Sequence, residues 1–218
     1  METPPLDPHD LELHGGHPAL DFVNTIDPRT GPLPHSDYLD DFDATVRWAV
    51  HAGMLDGKSA SRLAAAGAAD PRGARAAWAA AVELREALHR TVVGLVAGEA
   101  PNETDLASIA GADAGGRLVP CPGAPAKGEP AARLEPPEAS EPEDLLALLA
   151  GIAIDLLTTA DATRLRICPG GQEGCGWAVL DSTRNRSRRW CDMGACGSAV
   201  KSARLTERRR ASRGEAGS

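Results

Sequence analysis

Aromatic residues and long apolar runs are scarce in this chain of 218 residues. Phe, Tyr and Trp together make up 3% of the residues. The core must therefore be built from Ala, Leu, Val and Ile, which favours close-packed helices. No run reaches about eighteen residues without a charge, so we expect no membrane span. The acidic, Pro-rich start METPPLDPHD differs from a secretory signal, and we expect a cytoplasmic protein.

Signs of catalysis are also lacking. The sequence has no Gly-rich phosphate loop of the usual form, and no nucleophile can be paired with a general base. We therefore expect that the protein is not an enzyme.

Four of the five cysteines lie close together near the C-terminus. Six, fifteen and four residues separate Cys168, Cys175, Cys191 and Cys196. Two close pairs joined by a spacer are typical of a tetrahedral four-thiolate zinc site. Disulfides fit less well in a reducing compartment, and buried thiols fit less well among Gly, Arg and Asp. We expect one structural zinc ion, because four sulfurs leave no open position for water, and we interpret Cys121 as a lone thiol.

Charge divides the chain at the same place. From Thr163 onward there are twelve Lys and Arg against five acids, a net +7; the whole chain is −8, so residues 1–162 are −15. A basic module on an acidic body is typical of nucleic-acid binding, and a helix is expected after Cys196. A solvated tail, or one that folds back on the body, would have the same composition. The candidate DNA contacts are Arg184, Arg186, Arg188, Arg189, Lys201, Arg204, Arg208, Arg209 and Arg210.

The same segment resembles the CGNR zinc-finger family. The resemblance lies in Cys175–Gly176–Trp177, Asp181–Ser182–Thr183–Arg184–Asn185, Arg188–Arg189–Trp190–Cys191, Met193 and Cys196–Gly197. The family tetrapeptide Cys-Gly-Asn-Arg here reads Cys196, Gly197, Ser198, Ala199, so the ligand is kept and the Asn and Arg are replaced. The resemblance implies a finger paired with an N-terminal ABATE domain in stress-induced transcription regulators.

The N-terminal part resembles the ABATE domain at its opening motif, Leu-Asp-Phe-Val-Asn-Thr, which falls on Leu20–Thr25. Asp21 and Asn24 stand in an apolar setting. They either satisfy backbone groups at turns and caps or form the polar end of a ligand pocket. Asp155, in the most apolar helix, is a third candidate for that pocket. It either pairs with Arg47, Arg85 or Arg164 or points to a wet edge.

Apolar periodicity predicts helices over residues 37–54, 58–66, 71–97, 102–109 and 143–160. A short hairpin is expected from residues 117–121 and 131–134. We interpret Glu83, Arg85, Glu86 and Arg90 as a solvated helix face. His14, His17, His35 and Asp37 are expected in surface loops.

The predicted fold is mainly α, with a treble-clef-like finger formed by a hairpin and a helix. The predicted divisions are a flexible tail (1–12), a helical ABATE-like domain (13–162), a CGNR-like finger with a basic helix (163–213) and a tail (214–218). The leading hypothesis is a zinc-containing, DNA-binding transcriptional regulator whose body dimerises or senses a small molecule. The alternative is a zinc knuckle that binds a protein partner without DNA.

Overall fold

The chain forms a helical body onto which the cysteine-rich segment folds. A computed structural model describes residues 6–33, 35–112, 117–120, 132–135, 139–170, 174–203 and 205–206. The mainly α prediction is confirmed. The helices are α1 (Pro18–Val23), α2 (Phe42–His51), α3 (Gly57–Ala69), α4 (Pro71–Ala97), α5 (Glu103–Gly111), α6 (Pro142–Thr159) and α7 (residues 198–203).

Side-chain caps fix where the body helices begin. Asp41, Asp56, Asp70 and Asn102 each accept a hydrogen bond from a backbone N–H in the first turn of α2, α3, α4 and α5. The predicted bounds of α4 agree with the structure. The helix predicted from residue 37 begins instead at Phe42, because Asp41 caps it there.

The core lies between α4 and α6. Leu84, Leu88 and Val92 of α4 are at most 3% exposed, and so are Leu145, Leu149 and Leu156 of α6. Small residues complete the same faces, including Ala77, Ala81 and Ala153, so the helices pack closely with few aromatic side chains. No helix in the described part of the chain is long and apolar enough to cross a membrane.

The charged face predicted for α4 is not simply solvated. Arg85 is 1% exposed and makes a two-bond ion pair with Asp37. Glu86 pairs with Arg85 and Arg29, and Arg90 pairs with Asp105 instead of Glu86. Asp37 was expected in a surface loop; its side chain is 37% exposed, and its carboxylate holds the buried Arg85.

Three two-stranded antiparallel sheets connect the helices in the described residues. β1 (Ile26–Asp27) pairs with β2 (Ser36–Asp37), and β5 (Leu165–Ile167) pairs with β6 (Ala178–Leu180). The hairpin predicted in the Pro-rich segment is present as β3 (Arg117–Pro120) and β4 (Ala132–Glu135). Cys121, one residue past β3, lies outside the described residues.

The N-terminal segment is packed from at least Leu11 onward. Residues 1–12 were expected as a flexible tail, but Leu11 is 3% exposed and a turn over Pro8–Asp10 precedes it. The ring of His51 in α2 donates a hydrogen bond to the Leu11 carbonyl at 2.8 Å. The segment before His14 therefore covers part of the body.

Candidate metal centre

The four cysteines near the C-terminus meet at one point. The Sγ atoms of Cys168, Cys175, Cys191 and Cys196 all lie within 4.8 Å of one another. Two of these separations are 3.6 Å and 3.5 Å, from Cys191 to Cys175 and to Cys196. Zinc–sulfur bonds of about 2.3 Å in a tetrahedron place sulfurs about 3.8 Å apart, so the residues fit a zinc ion. Four thiolates fill the shell, and the zinc is structural.

The local fold explains how the two cysteine pairs converge. Strands β5 and β6 form a hairpin whose connecting loop contains Cys168 and Cys175. Cys191 precedes a wide turn over Met193–Gly197, which contains Cys196 and leads into α7. A knuckle on a hairpin followed by a helix agrees with the predicted zinc finger. The hairpin encloses the first pair of cysteines.

Hydrogen bonds among the thiols shift their acidities in opposite directions. Bonds from Cys175 and Cys191 lower the pKa of the Cys168 thiol to about 2. The same bonds to Cys168 raise the pKa of Cys175 and of Cys191. Thiols bind zinc only after they lose their protons. Zinc binding would release the remaining protons, so metal affinity falls as the pH falls.

The first cysteine pair contacts the N-terminal part of the body directly. The backbone N–H groups of Arg29 and Thr30 donate to the Cys175 carbonyl at 2.6 and 3.2 Å. Gly174, at φ +84°, lies so close to Thr30 that a Cβ would overlap the Thr30 carbonyl. The knuckle and residues 29–30 are therefore in van der Waals contact.

Strand β6 is held by Asn24 through both backbone polar groups of Ala178. The Asn24 amide donates to the Ala178 carbonyl and accepts from the Ala178 N–H, each at 2.8 Å. Asn24 is 1% exposed and Ala178 is fully buried. Further along the strand, Leu180 donates to the Gly15 carbonyl. Strand β6 of the finger thus forms hydrogen bonds with residues of the segment 14–30 of the body, which we call the docking strip.

Arg188 is another link between finger and body. It was predicted to contact DNA, but its guanidinium donates to four backbone carbonyls, those of His14, Leu180, Trp190 and Cys191. The side chain is half-buried and its donors face protein. Its contacts therefore do not support the predicted role.

The other predicted DNA contacts differ in their solvent exposure and in their contacts with the rest of the protein. Arg184, Arg189 and Lys201 are exposed, and Arg189 lies 5.5 Å from the centre of the Trp190 ring. Arg186 is also exposed, although it contacts Asp161 at 3.2 Å. Arg204 and Arg208–Arg210 lie outside the described residues. The structure places the described candidates on the loop 184–189 and on α7.

The three candidates for a ligand pocket have other partners. Asp21 accepts a hydrogen bond from the Gly15 N–H at 2.6 Å; burial raises the pKa of its carboxyl, and this bond lowers it less. Asn24 binds the finger. The Asp155 side chain is 59% exposed and meets His17 at 3.0 Å, in agreement with the wet-edge interpretation rather than an Arg partner. Each of the three side chains thus has a partner within the protein, a nearby one for Asp21 and distant ones for Asn24 and Asp155, and sequence periodicity gave no signal for the docking strip.

Comparison with known families agrees with this architecture. Residues 16–160 match the ABATE family, described as "putative stress-induced transcription regulator", and residues 164–209 match the CGNR zinc finger. These families are of regulator and zinc-finger type, not enzymes. A search of the curated proteins returns no significant match. Because the first match covers more than half of the chain and the second covers the four-cysteine centre, this protein belongs to the ABATE family and has a C-terminal CGNR zinc finger.

Proposed function

We propose that the protein is a DNA-binding transcription regulator whose zinc finger contacts the phosphate backbone. The supporting observation is that three basic residues of the finger, Arg184, Arg189 and Lys201, are exposed, whereas three of its four cysteines are buried. The family description and the net +7 charge of residues 163–218 point in the same direction. Arg204 and Arg208–Arg210, outside the described residues, contribute to the positive charge of the same part of the sequence.

Phosphate contacts alone position a protein on DNA without reading its sequence. Each phosphate contact releases counterions, so the slope of log K against log salt is about −0.9 per contact. Removing one contact should therefore weaken binding to all sequences and reduce the slope by about 1. This property separates phosphate binding from other causes of lost affinity.

The test is fluorescence anisotropy on labelled duplex DNA with the zinc-loaded full chain, titrated with salt. We expect the double variant Arg184→Gln and Arg189→Gln to reduce the magnitude of the slope by nearly 2. The matched control is Arg72→Gln and Arg75→Gln, which removes two exposed arginines from the body. Equal effects of both pairs would mean that net charge alone is responsible. No binding by the parent at low salt would refute the proposal.

A protein partner is the alternative for the same surface. Met193 and Leu205 are 55% and 50% exposed beside the basic residues, and exposed apolar side chains favour a protein contact. Under this alternative the finger would ignore DNA, and a stable partner would be retained in pull-downs by the parent but lost on Met193→Ser.

We further propose that the helical body supplies the regulatory input, as a dimer interface or a small-molecule site. A groove of about 390 Å³ bounded by Phe42, Trp78 and Gly67 offers room for a small effector. Sedimentation velocity would detect a dimer, and thermal-shift screening would detect an effector. The thiol ligands and a chromosomal DNA partner both fit the reducing cytoplasm.

A further inference from the structure

Arg188 connects three parts of the molecule through one side chain. Its Nη2 atom lies 2.7 Å from the carbonyl oxygen of the metal ligand Cys191 and 2.6 Å from that of His14 in the docking strip. Its Nη1 and Nε atoms donate to Leu180 in β6 and to Trp190, at 3.3 and 3.2 Å. The guanidinium thus contacts three parts of the molecule. They are the hairpin that contains the first cysteine pair, the segment that contains the second pair, and the body.

The loop that contains Arg188 is itself folded around a buried acid. Asp181 is fully buried; its Oδ2 accepts from the Arg188 N–H at 3.0 Å, and its Oδ1 accepts from the Thr183 N–H at 2.9 Å. Hydrogen bonding by the Thr183 hydroxyl lowers the pKa of Asp181, so the carboxylate stays charged. The backbone of Arg188 is therefore held in place independently of the contacts of its side chain.

Guanidinium chemistry suits this position. Arg presents five N–H donors in a rigid plane and always remains charged, whereas Lys offers three donors on a flexible stem. Partners outside the ligand shell set the orientation of ligands, and losing one commonly costs 10- to 100-fold in metal affinity.

We propose that Arg188 is a positioning residue of the zinc centre and that, together with Asn24, it makes zinc retention depend on the folded body. Asn24 acts on the first cysteine pair, because it binds Ala178 of β6. Ala178 lies three residues after Cys175 and two residues before Leu180. Arg188 acts on the second pair through Cys191. This inference does not rest on DNA binding.

A thermodynamic consequence is reciprocal coupling. If the docking strip raises zinc affinity, zinc must stabilise the docking strip by the same free energy. A ligand or partner that displaces residues 14–30 would therefore loosen the zinc, and loss of zinc would free the strip.

The first test compares zinc release from full-length Arg188→Gln and Arg184→Gln, measured with a coloured chelator. The two variants remove one positive charge from the same loop, but Arg184 is exposed. We expect Arg188→Gln to release zinc about tenfold faster or more, and Arg184→Gln to behave like the parent. Parental release by Arg188→Gln, or equal acceleration in both variants, would overturn the proposal. Arg188→Lys should not restore slow release.

Cobalt(II) provides a readout that a general loss of stability would not change. The absorption bands of a tetrahedral cobalt–thiolate centre report the arrangement of the sulfurs. We expect these bands to shift in Arg188→Gln and to remain parental in Arg184→Gln. Unchanged bands in Arg188→Gln would refute a positioning role even if the metal left faster.

A second pair of variants decides the question if Arg188→Gln does not fold. Asn24→Asp keeps the acceptor for the Ala178 N–H but loses the donor to the Ala178 carbonyl. Asn185→Asp makes the same chemical change at an exposed position of the finger loop. Zinc release should be accelerated severalfold by Asn24→Asp alone. Equal rates in the two variants would show that the body does not contribute to zinc retention.

Discussion

Arg85 is 1% exposed on α4, and its charge is neutralised on two sides. Both Nη atoms lie 2.7 Å from the carboxylate of Asp37, and Nε lies 2.9 Å from Glu86. Glu86 also accepts two hydrogen bonds from Arg29, whose backbone N–H binds Cys175. Partial burial raises the pKa of Glu86, but Arg29 and then Arg85 outweigh it and lower that pKa to about 2. A network of ion pairs therefore extends from α4 to Arg29, and the backbone of Arg29 connects it to the finger by a hydrogen bond.

Removing Asp37 should leave part of this buried charge unpaired. We expect Asp37→Ala to lower the free energy of unfolding by about 2–4 kcal/mol, because breaking a buried pair on one side is strongly destabilising. Asp40→Ala is the control, since Asp40 is exposed and such changes are usually within about 0.5 kcal/mol. Urea unfolding followed by circular dichroism measures both. A loss under 1 kcal/mol in Asp37→Ala would show that Glu86 alone satisfies Arg85.

His89 makes stability depend on pH. Burial, and then the charge of Arg29, lower its pKa from 6.5 to about 4. Between these values the unfolded chain binds a proton that the folded chain does not bind. Stability from the neutral ring is therefore complete above pH 6.5 and is lost as the pH falls toward 4. The loss is about 2 kcal/mol, because solvent screening of the partly exposed ring reduces the effect of the pKa shift. The contribution of Glu86 is lost at lower pH, from 4.5 toward 2.

The corresponding experiment compares urea unfolding of the parent and His89→Gln at several pH values. The variant should show a shallower loss of stability between pH 6.5 and 4. Both proteins contain the same four thiols, so any loss of zinc at low pH cancels in the difference. Parallel curves for the two proteins would mean that His89 does not titrate differently on folding.

Among the elements, those with strong local signals were predicted best. The bounds of α4 follow from Pro71 at its first position, its apolar stripe and Gly98 in the left-handed conformation after its end. Its polar face was misinterpreted, because Arg85 is neutralised by Asp37 from a different segment. Periodicity describes one helix at a time, whereas burial of a charge depends on partners elsewhere in the chain.

The finger shows the same difference between signals that are local in the sequence and contacts between distant residues. The spacing of the cysteines and their setting among Gly, Arg and Asp predicted the zinc site, since both can be read along the chain. The contact between Asn24 and Ala178 spans 154 residues, and neither residue type indicates it. The sequence could show only that Asn24 was polar in an apolar setting.

Two glycines allow the contact between knuckle and docking strip to be measured. Gly174 and Gly98 both have positive φ, +84° and +80°, but only Gly174 faces a neighbour, Thr30. Gly98→Ala should cost about 1 kcal/mol, the price of the backbone conformation alone. Gly174→Ala should cost at least 2 kcal/mol more and should speed zinc release, because the new methyl group displaces residues 29–30. Equal losses of stability in the two variants would mean that Thr30 moves aside without strain.

At the scale of the molecule, body and finger share one core. Leu165, Ala178 and Val179 of the finger belong to the same buried cluster as Phe22 and Leu88 of the body. The sequence predicted two successive domains divided at about residue 162, and the two family matches divide at a similar place. The finger therefore contributes to the stability of the body through this shared core, since the docking strip is completed only by β6.

Replacement of one cysteine ligand tests the assignment of a four-thiolate zinc centre. Cys191→Ser should reduce zinc to well below one ion per chain and unfold the finger, while α4 and α6 keep most of the helical signal. Cys121→Ser is the matched control and should retain one zinc, because Cys121 is predicted to be a lone thiol. Metal content by mass spectrometry and circular dichroism at 222 nm give the answer. Full metal content in Cys191→Ser would show that the four-thiolate assignment is wrong.

The docking strip also has a consequence for synthesis on the ribosome. Residues 14–30 are translated early, but their partner β6 is made about 150 residues later, which takes roughly 8 to 30 s at bacterial-type elongation rates. During that interval the Asn24 amide and the backbone groups of residues 29–30 have no partner from the finger. The nascent body must wait for the last quarter of the chain, and a premature stop before residue 178 would yield a chain that never closes its own N-terminal segment.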